Sequence, residues 1–181
     1  MNSPVAAAAV VAFWIEAGPG RWFKKDAAFD DVFRARFATE HEAAASGALD
    51  SWSETADGAL ALLILLDQYP RNSFRGTARM FATDGKALAV AKRAVEFGFD
   101  TVVEPSLRSF FYLPFEHSEQ LENQDRALLL FATLGDEAQR YAIIHRDIIA
   151  RFGRFPHRNA LLGRTTSPEE QQFLDQGGFA G

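Results

Sequence analysis

The chain has 181 residues with 17 Phe and 3 Trp, no cysteine, and a formal charge of −5. That length fits a single domain with a substantial core, and the missing cysteines exclude a disulfide framework, a thiolate nucleophile and any Cys-ligated metal centre. The acidic balance argues against nonspecific attraction to nucleic acid or anionic lipid, and a reducing, cytoplasmic compartment is the expectation.

Alanine- and leucine-rich helical periodicity runs through the chain, while β-branched alternation is almost absent, so the predicted fold class is all-α. The first helix is expected over 4–17. Its apolar stretch Val5 to Ile15 lacks a preceding basic residue and is read as a core helix rather than a secretion signal. Gly18-Pro19-Gly20 stops it. A second helix is predicted from Asp26 to Gly47, stacking Phe29, Phe33 and Phe37 at spacings of four along one stripe. His41 is expected to be exposed. A third, from Thr55 to Tyr69, is apolar on more than one face and belongs at the centre, with Pro70 ending it.

Shorter helices are expected over Thr77 to Phe81, Asp84 to Phe97 (stopped by Gly98) and Pro105 to Tyr112. Phe99 to Val103 is the best strand candidate. Longer helices are predicted from Ser118 to Leu134, with Ser118 as N-cap, and from Gly135 to Phe152. The last opens on Ser167-Pro168-Glu169-Glu170, a capping box with proline at the first helical position. The chain is therefore read as one domain over 1–181, with a glycine-rich tail that frays after residue 174. No run approaches the roughly 20 apolar residues of a membrane span.

Polar chemistry gathers in two loop motifs, DQYPRN and RFGRFPHRN. Tyr69-Pro70-Arg71-Asn72 followed by Gly76 is echoed by Phe155-Pro156-His157-Arg158-Asn159 followed by Gly163. Asp67 continues the stripe of Leu60, Leu63 and Ile64, so its carboxylate points inward and needs a partner. Arg71, four residues on, can supply it. Such a pair either ties the helix end to a neighbour or forms part of a pocket wall. Residues 146–164 hold Arg146, Arg151, Arg154, Arg158 and Arg164 with His145 and His157, against the single acid Asp147. Either acids elsewhere, such as Asp67, Glu116 and Glu119, neutralise this excess, or an anion does.

No histidine pair has zincin spacing and there is no Glu-x-x-His signature, so no metal or other cofactor is expected. Nucleophile elbows and phosphate loops are missing as well. An acid–base pair of His117 or His145 with Asp67 or Glu119 remains open, as a hydrolase or transferase, and enzymatic character stays undecided. Trp14, Trp22 and Trp52, if exposed, would favour a protein-interaction scaffold.

Read together, FW near the start, GxLDxW, LLDQYPRNxFRG, FFYLPFEHSE and HRDIIxRFGRFPHRNxLLGRxxSPEE resemble the bacterial family of domain of unknown function 924 over nearly the whole chain. The resemblance implies a tetratricopeptide-like α-α superhelix, here of about eight to nine helices in antiparallel hairpins, and no established activity. Its motif positions fall on Asp67, Gln68, Arg71, Asn72 and Arg75, then His117, Ser118 and Glu119, then His145, Arg151, Arg154, His157, Arg158 and Asn159. The preferred reading is a helical module that binds a small anionic ligand or an acidic peptide in a groove lined by Arg71, Asn72, Arg75, His117, Arg151, Arg154, His157, Arg158 and Asn159.

Overall fold

The computed structural model describes residues 4–179, and among them every regular element is helical. The contacts divide the chain into two compact units, Met1–Pro114 and Phe115–Gly181. No described helix is long and apolar enough to cross a membrane.

In the first unit, α1 (Pro4–Ala17), the single turn α2 (Pro19–Trp22) and α3 (Ala27–Ser46) follow the predicted boundaries. Asp26 caps α3, its Oδ1 accepting from the amides of Ala28 and Phe29 at 3.1 and 3.2 Å, which satisfies donors that a helix start leaves open. Gly47 ends α3 at φ 92°, a left-handed geometry that a side chain would strain. The Phe13 ring stacks on Phe29 at 5.5 Å and Phe33 at 5.4 Å, so the four-residue stripe of α3 docks on α1.

The centre of this unit is one long helical run made of α4 (Ala56–Leu63), a π turn (Ile64–Gln68) and α5 (Tyr69–Ser73). Leu60 to Leu66 are all fully buried, as a helix apolar on every face requires. Each such leucine contributes about 1.5–3 kcal/mol of burial. The run packs against α1, α3 and α6 (Asp84–Glu96). Gly58 permits the tight entry, because a Cβ there would lie 2.2 Å from the Trp52 carbonyl oxygen.

Pro70 does not end this helix, contrary to the sequence expectation. It has no N–H to donate, and the ladder shifts into the π turn, where the Tyr69 amide reaches back to the Ile64 oxygen. The carbonyls of Leu65 and Leu66 beside the missing donor are taken by His41 Nδ1 at 2.9 Å and by the Thr83 hydroxyl at 2.5 Å. His41 is thus buried, not exposed, with its ring stacked 4.6 Å from that of Tyr69. Burial pushes its pKa down, partly opposed by the Leu65 hydrogen bond. Phe99–Val102, the strand candidate, is a helical turn, α7. The three tryptophans are buried, so they do not form a partner surface.

The helix expected to end at Tyr112 is α8 (Ser109–Glu116), which runs on through Pro114, the residue at the unit boundary. In the second unit, α9 (Leu121–Phe131) starts three residues later than expected, with Gln120 rather than Ser118 at the cap position. The Ser118 hydroxyl instead accepts from the Gln120 amide at 3.2 Å and from Asn123 Nδ2 at 2.9 Å. A 3-10 turn (Ala132–Leu134) and Gly135 lead back into α10 (Asp136–Phe152), which packs along α9. The Ser167 capping box opens α11 (Pro168–Asp175) with both reciprocal hydrogen bonds present. Ile148, Ile149 and Phe155 make the core of this unit, joined by Phe152, Phe173 and Phe179.

Candidate functional site

The first motif projects from the end of the central helix onto α3 and α6. Arg71 presents a planar fork to Asp84, with Nη1–Oδ1 at 2.8 Å and Nη2–Oδ2 at 3.1 Å. Nη1 also lies 3.1 Å from Asp67 Oδ1 and donates to the Asp67 carbonyl at 2.9 Å. Gln68 Nε2 takes the other Asp67 oxygen at 2.6 Å. Burial disfavours the Arg71 charge, but the two carboxylates more than offset it and raise its pKa. A turn further on, Asn72 Nδ2 donates to Asp30 Oδ1 at 2.6 Å, and Arg75 grips the same carboxylate at 2.7 and 3.3 Å. Every polar member of the motif is therefore engaged within the first unit.

In the second unit the arginines are matched to acids in the same way. Arg154 forks Glu170 at 2.6 and 2.8 Å, and Glu170 also accepts from the Ser167 amide at 2.7 Å. The Arg154 bonds, opposed by burial and aided by Ser167 and Asn159, hold the Glu170 pKa down to about 2. Arg164 forks Glu119 at 2.6 and 3.0 Å, and the Phe155 amide adds a third bond at 2.8 Å. Burial alone would raise the Glu119 pKa, but these donors lower it overall. Asn159 Oδ1 braces Arg164 Nε at 2.9 Å. Nearer solvent, Arg151 meets Glu169 at 3.0 Å and Arg146 meets Asp125 at 3.0 Å.

Arg158 has a different setting. It is buried, and its guanidinium lies over the Phe155 ring at 4.5 Å. Around the same ring stand His145 at 5.6 Å and His157 at 5.6 Å, and the Phe179 ring closes on both histidines at 4.5 and 5.4 Å. His145 Nδ1 faces two acceptors, the Tyr141 carbonyl at 2.9 Å and Glu116 Oε1 at 3.1 Å. Burial first, and then the positive fields of His117, Arg158 and His157, push the His145 pKa down to about 4 despite the Tyr141 bond. At neutral pH its proton therefore sits on Nδ1. His117 is carried by a turn that Gln124 clamps from below, donating to the Glu116 and Ser118 carbonyls, each at 2.6 Å.

The candidates named from sequence thus fall into an acid-paired group (Arg71, Asn72, Arg75, Arg151 and Arg154) and an aromatic-lined cluster of His117, His145, His157 and Arg158. Asn159 braces the latter's frame. Of the proposed acid–base carboxylates, Asp67 is held by Arg71 and Gln68, and Glu119 by Arg164; Glu116 is the carboxylate at His145. Asp30, Asp84 and Glu170 were not among the sequence candidates. Asp30 had a signal, since it falls on the inward face with Phe33 and Phe37. The other two had none, because their partners are distant in sequence. Among the described residues no set of three His, Cys, Asp or Glu side chains is arranged to hold a metal ion.

Fold and networks together define an all-α protein whose arginine motifs are built into acid-matched frames. The chain belongs to the family described as bacterial protein of unknown function (DUF924), whose model matches residues 10–178. Among solved structures it is similar to the protein of unknown function ATU0120 from Agrobacterium tumefaciens, with 52% sequence identity and a TM-score of 0.95 over 97% of this chain and 100% of that one. No curated protein matches the chain.

Proposed function

We propose that the second unit binds a small anionic ligand, or the acidic end of a peptide, through Arg158 with His157, His117 and His145 beside it. The observation that carries this reading is the gathering of three positive or protonatable groups close enough to His145 to depress its pKa. A guanidinium and imidazole N–H groups suit carboxylate or phosphate oxygens equally. In this reading Arg154, Arg164 and Asn159 hold the frame, and Arg71, Asn72 and Arg75 stabilise the first unit. Thermal-shift titration with phosphate, sulfate, succinate and a short peptide ending in Asp-Glu tests it. At least one anion should raise the melting temperature of the wild type and fail to do so in Arg158→Gln. A flat screen, or an unchanged shift in the variant, removes the proposal.

A second reading rests on Glu116 and His145. A carboxylate that accepts from Nδ1–H fixes the tautomer and leaves Nε2 as a general base, the basis of acid–base catalysis in a hydrolase or transferase. It expects activity in a panel of ester, amide and phosphate substrates that is lost in His145→Gln. Activity that survives that substitution rules it out.

A further inference from the structure

A groove of about 400 Å³ lies in the first unit between the last turns of α1 and the first half of α3, far in sequence from either arginine motif. Phe13, Ala17, Ala28, Phe29 and Val32 give it an apolar floor, and Glu16, Arg21, Asp26 and Arg36 stand round it. Phe29, Val32 and Arg36 follow at spacings of three and four, so they share one face of α3, with Arg36 roughly 10 Å along the axis from Phe29.

Charge on the rim is not balanced. The Asp26 oxygen is committed to two amides of the α3 start. Arg36 is held by rings rather than by a carboxylate among the described residues: its guanidinium lies 5.3 Å from the centroids of both Phe13 and Phe37. That contact fixes a cation at the end of an aromatic floor while leaving its outward N–H groups to solvent. Val32, at the lip, is 56% exposed although it is aliphatic. A recess of this size, with an apolar floor and one oriented cation, suits a single small organic molecule.

We infer that this groove binds an apolar-bodied organic anion, an aryl or acyl acid whose ring or chain lies on Phe13, Phe29 and Val32 and whose acid group is taken by Arg36. Arg21, on α2, adds positive field at the opposite end. Such a ligand would cover the exposed Val32 and replace the water around Arg36 with a charge-assisted hydrogen bond. The site is separate from the histidine cluster of the second unit and does not depend on it.

Fluorescence titration with 1-anilinonaphthalene-8-sulfonate tests the site, with N-phenyl-1-naphthylamine as its uncharged counterpart. The wild type, folded by circular dichroism, should show one saturable site for the sulfonate and much weaker binding of the neutral amine. Arg36→Gln should weaken sulfonate binding at least tenfold. Val32→Glu, a change at an exposed position that places a negative charge over the floor, should abolish it, and Arg158→Gln should leave it unchanged. Equal binding of the neutral amine, or sulfonate binding that persists in Arg36→Gln and Val32→Glu, overturns the inference.

Discussion

Moving from about pH 7.5 to about pH 5 should cost the protein about 2 kcal/mol through His145 alone. The ring is buried, and its folded-state pKa is pushed down to about 4, against about 6.5 for an unperturbed histidine. Because the folded value is the lower one, the unfolded chain takes up the proton first. Stability is then full above the unfolded value and drains as the pH falls towards the folded one, and linkage of these two values gives the stated loss. Glu170 and Glu119, whose pKa values are lowered, act at more acidic pH, so the windows separate. His41, also lowered, titrates in the same upper window and makes the total slope steeper. Urea denaturation at several pH values, in wild type and His145→Gln, isolates the His145 share. The variant's stability should fall by about 2 kcal/mol less over this range. Parallel profiles for the two proteins, or an NMR titration that places the His145 ring near 6.5, would refute the argument.

Gly58→Ala should destabilise by about 1–3 kcal/mol in the same assay, because its Cβ would meet backbone that cannot turn aside. Arg71→Met should cost about 3–5 kcal/mol, since it leaves the buried Asp67 and its neighbour Asp84 facing each other without their shared cation; a melting temperature equal to wild type would contradict the network. Glu170→Gln loses the Arg154 fork and half of the capping box. Its cost should be about 1–2 kcal/mol at neutral pH, discounted because Arg154 is partly solvated. That difference should shrink as the pH drops below about 4.5 towards about 2, where the wild-type carboxylate itself takes up a proton.

Local signals in the sequence were reliable where local chemistry decides the structure. Asp26, Gly47 and the Ser167 box fix helix ends through bonds within three or four residues, and the observed boundaries follow them. Where a distant group decides, reading failed. Pro70 reads as a stop because nothing nearby reveals that His41 and Thr83 will take the carbonyls beside it. His41 itself was legible: it continues the four-residue spacing of Phe29, Phe33 and Phe37, and its polarity hid its place in that stripe. The Asp67–Arg71 contact followed from spacing, whereas Asp84, which completes it, comes from another helix. At the second motif the arginine excess was visible, but not the pairing of Arg154 with Glu170, which needs α11 folded back.

The π turn at Ile64–Gln68 amounts to one surplus residue wound into an otherwise ordinary coil. Removing that residue would regularise the coil and at the same time swing everything after it by roughly 100° about the axis. Asp30 and Asp84 would then face the wrong side chains. A one-residue deletion at Leu66 should therefore keep most of the helical circular dichroism while the cooperative melt weakens sharply, so this stretch of the family should tolerate replacements more readily than changes of length.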